Sequence, residues 1–234
     1  MAQAAIPALI TGRTEATGRN DKPLWRWAGG FGIAHIVLML GAFAMEKVDK
    51  AEHGSPPAAV LRALGGVSVS RVELASYVEA IAMLPLLAAL VLFARLLGRR
   101  TETGRVAAQT ALGLGVAYVA SAFAIGFPPL TAAVYAAHHG VDGGTVATVV
   151  DLRNYGFLLE VALSVAFALA LGIAATAEHR LTKWVGWGGI AVGVVGIVVT
   201  PFAHDEVSLA WAIWWLGACV LCLKGGPKDV AAHD

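Results

Sequence analysis

Residues 151–160, "DLRNYGFLLE", run without a break into residues 161–177, "VALSVAFALALGIAATA". A helix needs about 20 mainly apolar residues to cross a hydrocarbon core of about 30 Å. The stretch from about residue 154 to 175 supplies them, so it reads as a membrane-crossing helix with Asp151 and Arg153 at its mouth and Glu160 inside it.

Five further segments have the same character: approximately residues 25–45, 74–97, 106–127, 184–203 and 207–224. The fold expected is all-α, a polytopic bundle of six transmembrane helices. Composition agrees. Of 234 residues, 58% are hydrophobic and 14% charged, against about 25% charged in soluble domains, and the mean hydropathy is +0.70. A formal charge of +1 leaves no footprint for nucleic acid, so the expected partner is the lipid bilayer. Two cysteines are too few for a disulfide framework. Residues 1–24 lack the pattern of a signal peptide and read as a flexible cytoplasmic tail, residues 25–224 as the membrane domain, and residues 225–234 as a second cytoplasmic tail.

Loops rich in lysine and arginine stay cytoplasmic. The first tail with the start of the first span, the second-to-third loop, the fourth-to-fifth loop and the C-terminal end together hold twelve such residues: Arg13, Arg19, Lys22, Arg26, Arg95, Arg99, Arg100, Arg105, Arg180, Lys183, Lys224 and Lys228. The other side holds five (Lys47, Lys50, Arg62, Arg71, Arg153), diluted by acids that include Glu46, Asp49, Glu52 and Glu73. Both termini are therefore expected in the cytoplasm. The tryptophans are expected at headgroup level: Trp25, Trp27, Trp184 and Trp187 at the cytoplasmic face, Trp211, Trp214 and Trp215 near the outer start of the sixth span. "HDE", residues 204–206, reads as the tight connector of a hairpin between the last two spans. "SPPAAVLRAL", with Ser55 as N-cap, and "TAAVYAAHHG", stopped by Gly140, read as short helices covering the outer mouth.

The polar residues inside the spans carry the functional reading. Arg153, Phe157, Glu160 and Ser164 share one helical stripe, and "RVELASYVEAIAMLP" puts Ser76, Glu79 and Met83 on one face of the second span. Glu79 and Glu160 should lie at one depth, about 7 Å below the outer boundary at 1.5 Å per residue. An acid in hydrocarbon costs at least ~2.5 kcal/mol, so each needs a partner. If the helices converge, Glu79, Glu160, Arg153, His35 and Tyr77 line an outward-facing polar pocket for a proton or a small ligand. The plain alternative is interhelical hydrogen bonding worth about 1 kcal/mol, which is also the favoured reading of His35 alone. No residue is assigned as catalytic and no metal ligand set or cofactor is assigned.

Other features have plainer readings. Cys219 and Cys222 have C-x-x-C spacing but lie among apolar residues and read as packing thiols. His138 and His139 are adjacent, so they point about 100° apart and read as solvated rather than chelating. Only His35 lies well inside, too few for haem held between spans. Gly186, Gly189, Gly193 and Gly196 draw a smooth stripe along the fifth span; packing within the bundle is the default, and a homodimer through this face is the sharper option.

The segments "WRWAGGFGIAHIVLMLGAF", "VELASYVEAIAMLPLLAALVLFARLL", "LRNYGFLLEVALSVAFALALGIA" and "LTKWVGWGGIAVGVVGIV", in that order from about residue 25 to 200, resemble an uncharacterised bacterial family of six-helix integral membrane proteins, one of the domains of unknown function. The resemblance implies a multi-pass protein of the bacterial inner membrane and assigns no chemistry. The leading expectation is a small-solute or proton-coupled transporter-like or ligand-binding protein acting through the two glutamates. An intramembrane metal-dependent enzyme, using His35 with Glu79 or Glu160 or using the His204 cluster, and an accessory or regulatory subunit of a membrane complex are the alternatives.

Overall fold

The computed structural model describes residues 21–46 and 54–225. The charged loop with Lys47, Asp49, Lys50 and Glu52, and most of both expected tails, lie outside the described residues. Within them the chain is all-helical: α1 (Lys22–Glu46), α2 (Pro57–Gly65), α3 (Val69–Leu97), α4 (Glu102–Ser121), a π-helical turn (Ala122–Gly126), α5 (Pro128–His138), α6 (Gly143–Glu178), α7 (Lys183–Val199) and α8 (His204–Leu223).

Local chemistry sets the boundaries. Thr101 accepts from Gly104 N to start α4, and Asp142 accepts from Thr145 N to start α6. The Thr145 hydroxyl and N–H hold the Asp142 carboxyl below its ordinary range. Left-handed His179 (φ 52°) ends α6, and Gly140 (φ 76°) follows α5. Two expectations need correction. The cap of α2 is Pro56, with no side-chain cap bond, rather than Ser55. "HDE" is the first turn of α8, where Asp205 and Glu206 complement the positive end of the helix dipole; the connector is residues 200–203.

Five helical stretches are long and apolar enough to cross a membrane: Lys22–Glu46, Val69–Leu97, Glu102–His138, Gly143–Glu178 and His204–Leu223. The helix Lys183–Val199 is apolar but shorter, at 17 residues. On α7 the glycines Gly186, Gly189, Gly193 and Gly196 are buried while Val194, Val195, Ile197 and Val198 point outward, Val198 with 67% exposure. Small residues inward and bulky apolar residues outward is the reverse of a soluble helix, and it is what lipid outside and close backbone packing inside permit.

The helices α1, α3, α4, α6, α7 and α8 form the bundle. α1 packs between α3 and α8, and α6 packs against α4 and α7. The main core centres on Trp215, whose ring meets Phe93 at 5.3 Å, Phe167 at 5.4 Å and stacks on Trp211 at 6.2 Å. Thus Trp25, Trp211, Trp214 and Trp215 are core residues and not a headgroup belt; Trp27, Trp184 and Trp187 remain exposed. The indole N–H of Trp214 donates to Val185 O at 3.0 Å, tying α8 to α7.

α6 has 36 residues, about 54 Å at 1.5 Å per residue, far longer than a bilayer core. Its first turns carry a separate small core with α2, α5 and the start of α3: Val60, Leu64, Val67, Val72, Leu130, Val134, Val146 and Val150. His138, the exposed last residue of α5, donates from Nε2 to Val67 O at 2.8 Å, so it is solvated as expected and also ties α5 to the turn before α3.

Candidate functional site

Between the cap core and the main core lies a polar layer. α3 carries Glu79 into it between Val72 and Met83, and α6 carries Glu160 between Val150 and Phe167. Glu79 is 1% and Glu160 8% exposed. Glu79 lies within electrostatic reach of Glu46, Arg153 and Glu160, and Glu160 within reach of Arg153 and Glu46. The Tyr118 phenol of α4 lies within reach of both acids and Arg153. The Arg153 guanidinium sits 5.6 Å from the centre of the Phe157 ring, a cation–π arrangement one turn along α6.

The structure therefore places Glu79, Glu160 and Arg153 in one layer. His35 stays deeper, with Nδ1 donating to Ala82 O at 2.9 Å and its ring edge toward Trp211. That contact lies beside Pro85, which has no N–H to give to the Ile81 carbonyl. Tyr77 does not join the layer. Two residues from Glu79 it is turned about 200° around the helix, and it is 64% exposed.

Two members were not foreseen. Glu46 was counted as a loop charge, yet it continues the face of α1 that buries His35 and Ala42, spaced by seven and then four. The second is the π-helical turn. Phe127 N donates to Ala122 O at 3.3 Å, five residues back, and Pro128 and Pro129 offer no N–H to Ala124 and Ile125. The turn packs on α6: a Cβ on Gly126 would overlap Glu160 Oε1, and one on Gly156 would overlap the Ile125 carbonyl. The sequence "GFPPL" was the available signal, since π turns arise where the α register is interrupted and recur at functional sites.

Among the described residues, Glu79 Oε2, Glu160 Oε1, Glu46 Oε1, Arg153 Nε and Ser121 Oγ are buried with no hydrogen-bond partner. Glu178, at the other end of α6, is the contrast. It is equally buried, and its carboxylate accepts from Arg100 N (3.0 Å), Thr101 N (2.9 Å) and Thr101 Oγ (3.1 Å), with Gly104 pressed against it. Close by, Asp21 accepts from Arg99 at 2.8 Å and Arg180 at 3.3 Å. Burial pushes the Asp21 carboxyl up, but the bonds and charges of Arg99 and Arg180 outweigh it and hold it below its ordinary value.

The remaining candidates fall to packing. Cys219 and Cys222 are free, buried thiols set against Gly29 and Gly32 of α1. The glycine stripe of α7 faces Val165, Leu169, Gly172 and Thr176 of α6, so that face is packed within the chain. Among the described residues no three His, Cys, Asp or Glu side chains come together in the manner of a metal site.

The all-helical bundle with its lipid-compatible exterior has the make-up of an integral, multi-pass membrane protein. Comparison with protein-family models, curated proteins and solved structures finds no significant match in any of the three.

Proposed function

We propose that this chain is a six-span membrane protein whose buried acid layer, Glu46, Glu79 and Glu160 with Arg153, takes up and releases protons from the side capped by α2 and α5. The observation that carries this reading is the set of orphaned carboxylate oxygens. An acid kept as structural glue is satisfied as Glu178 is, because an unpaired buried polar atom costs about 1–3 kcal/mol. Two buried acids and a half-buried one around a fixed guanidinium change charge by exchanging protons on the carboxyls, with Tyr118 alongside. Apolar cores lie on both sides of the layer, and the smaller of the two is the one toward α2 and α5.

In this reading α7 is the sixth span, about 26 Å long at 1.5 Å per residue, shorter than the bilayer core by an amount that local thinning accommodates. Both termini lie in the cytoplasm of a bacterial cell. In support, Lys22, Arg99, Arg100, Arg105, Arg180 and Lys183 gather at the end opposite α2 and α5.

Infrared difference spectra across a pH step test the proposal. A protonated-carboxyl band should appear in the native protein and diminish separately in Glu79→Gln and Glu160→Gln, with proton-coupled uptake into proteoliposomes lost in both. Unchanged bands and uptake in both variants would dispose of it. The closed packing around the acids favours a second reading, an accessory subunit that uses the layer for coupling; stoichiometric copurification of another membrane protein would select it.

A further inference from the structure

On the flank of the acid layer, α3 and α5 border a shallow, open groove of about 510 Å³ lined by Glu73, Ser76, Tyr77, Phe127, Thr131 and Tyr135, with Pro128 and Ala132 completing its wall. Its volume is in the range of small-ligand sites, about 300–1,000 Å³. The lining is aromatic and apolar, with a carboxylate as its one charged side chain. Ser76 and Thr131 hydrogen-bond through their hydroxyls at 2.5 Å. One turn beyond Ser76 on α3 lies Glu79, and Gly126, next to Phe127, touches Glu160. Ser76 and Phe127 thus tie the groove wall to the segments that carry or touch the acids. Tyr135 is held in place by stacking on His139 at 3.9 Å, whose Nδ1 donates to Tyr135 O.

We infer that this groove binds a lipophilic organic cation, presented from the lipid headgroup level, between Glu73 and the rings of Tyr77, Phe127 and Tyr135. The charge argument is specific. Aromatic faces and carboxylates attract a poorly hydrated ammonium or phosphonium, while the Glu73 carboxylate repels an anion of identical shape. Binding in the groove does not require the acid-layer reading; that reading supplies only what lies under the floor.

The test uses the full chain in detergent, titrated calorimetrically with tetraphenylphosphonium and, separately, with tetraphenylborate, an anion of matching size and shape. Saturable binding of the phosphonium and none of the borate is expected. Glu73→Gln should weaken it about tenfold and Tyr135→Ala about fivefold. Ala132→Arg, on the exposed face of α5, should set a like charge against the ligand and abolish binding without touching the bundle. Equal binding of both ions, or full affinity in Glu73→Gln and Ala132→Arg, overturns the inference. Because the proton readout depends on Glu79 and Glu160 and this one on Glu73 and Ala132, either reading can fail while the other stands.

Discussion

Glu178 and Glu79 are two glutamates of equal burial with opposite surroundings. In the sequence Glu178 sits at the polar end of an apolar run, where a charge is unremarkable. Its three donors make it a cap on the start of α4 supplied by another helix. Glu178→Ala leaves those donors unpaired and should cost about 3 kcal/mol, seen as a clear drop in the melting temperature in detergent. Glu178→Gln keeps one accepting oxygen and should lose less. Glu79 and Glu160 were legible because an acid in an apolar window stands out by cost alone. Glu46 was not, because its window ends with it, and only the fold shows whether a terminal acid turns inward. Tyr77 shows the converse: nearness in sequence to Glu79 put it in the pocket, and the helical rotation puts it on the groove wall.

Helix pairing follows small residues, and the pairs are decided by which small faces meet. The stripe of α7 announced a close contact; that Gly172 on α6 receives it depended on the register between the two helices. Leucine at Gly189 would drive into the Trp214 ring and the Ala168 carbonyl, and overpacking of this kind costs about 1–3 kcal/mol. At the other contact, Gly32 of α1 lies against Cys219 Sγ. Native protein in detergent should leave both thiols unlabelled by maleimide, whereas Gly32→Val should part α1 from α8 and make Cys219 reactive. Equal labelling of native and variant protein would contradict the assigned packing. The tryptophans of α8 were misplaced because an indole at a span end and an indole in a core have the same sequence signature until the partner helices are known.

At the scale of the whole molecule, Asp21 holds together the start of α1, the end of α3 through Arg99 and the end of α6 through Arg180. Its carboxyl is held below the ordinary value of 3.8, so it contributes stability above that value and loses it as the pH falls through the lower folded one. The melting temperature of native protein should therefore exceed that of Asp21→Asn at neutral pH, and the gap should close on acidification below about pH 4. A gap independent of pH would mean the latch is not ionic. By itself the sequence determined that this is an all-helical chain with the lengths and hydropathy of membrane spans, because hydrocarbon imposes a minimum apolar run on every helix that crosses it and that run is a local property. Tertiary structure alone decided that Glu46 turns inward to join Glu79, Glu160 and Arg153 between two apolar cores, and that Tyr77 and Glu73 line a groove beside them. Those outcomes depend on rotation and register between helices far apart in the chain, which no single apolar window encodes.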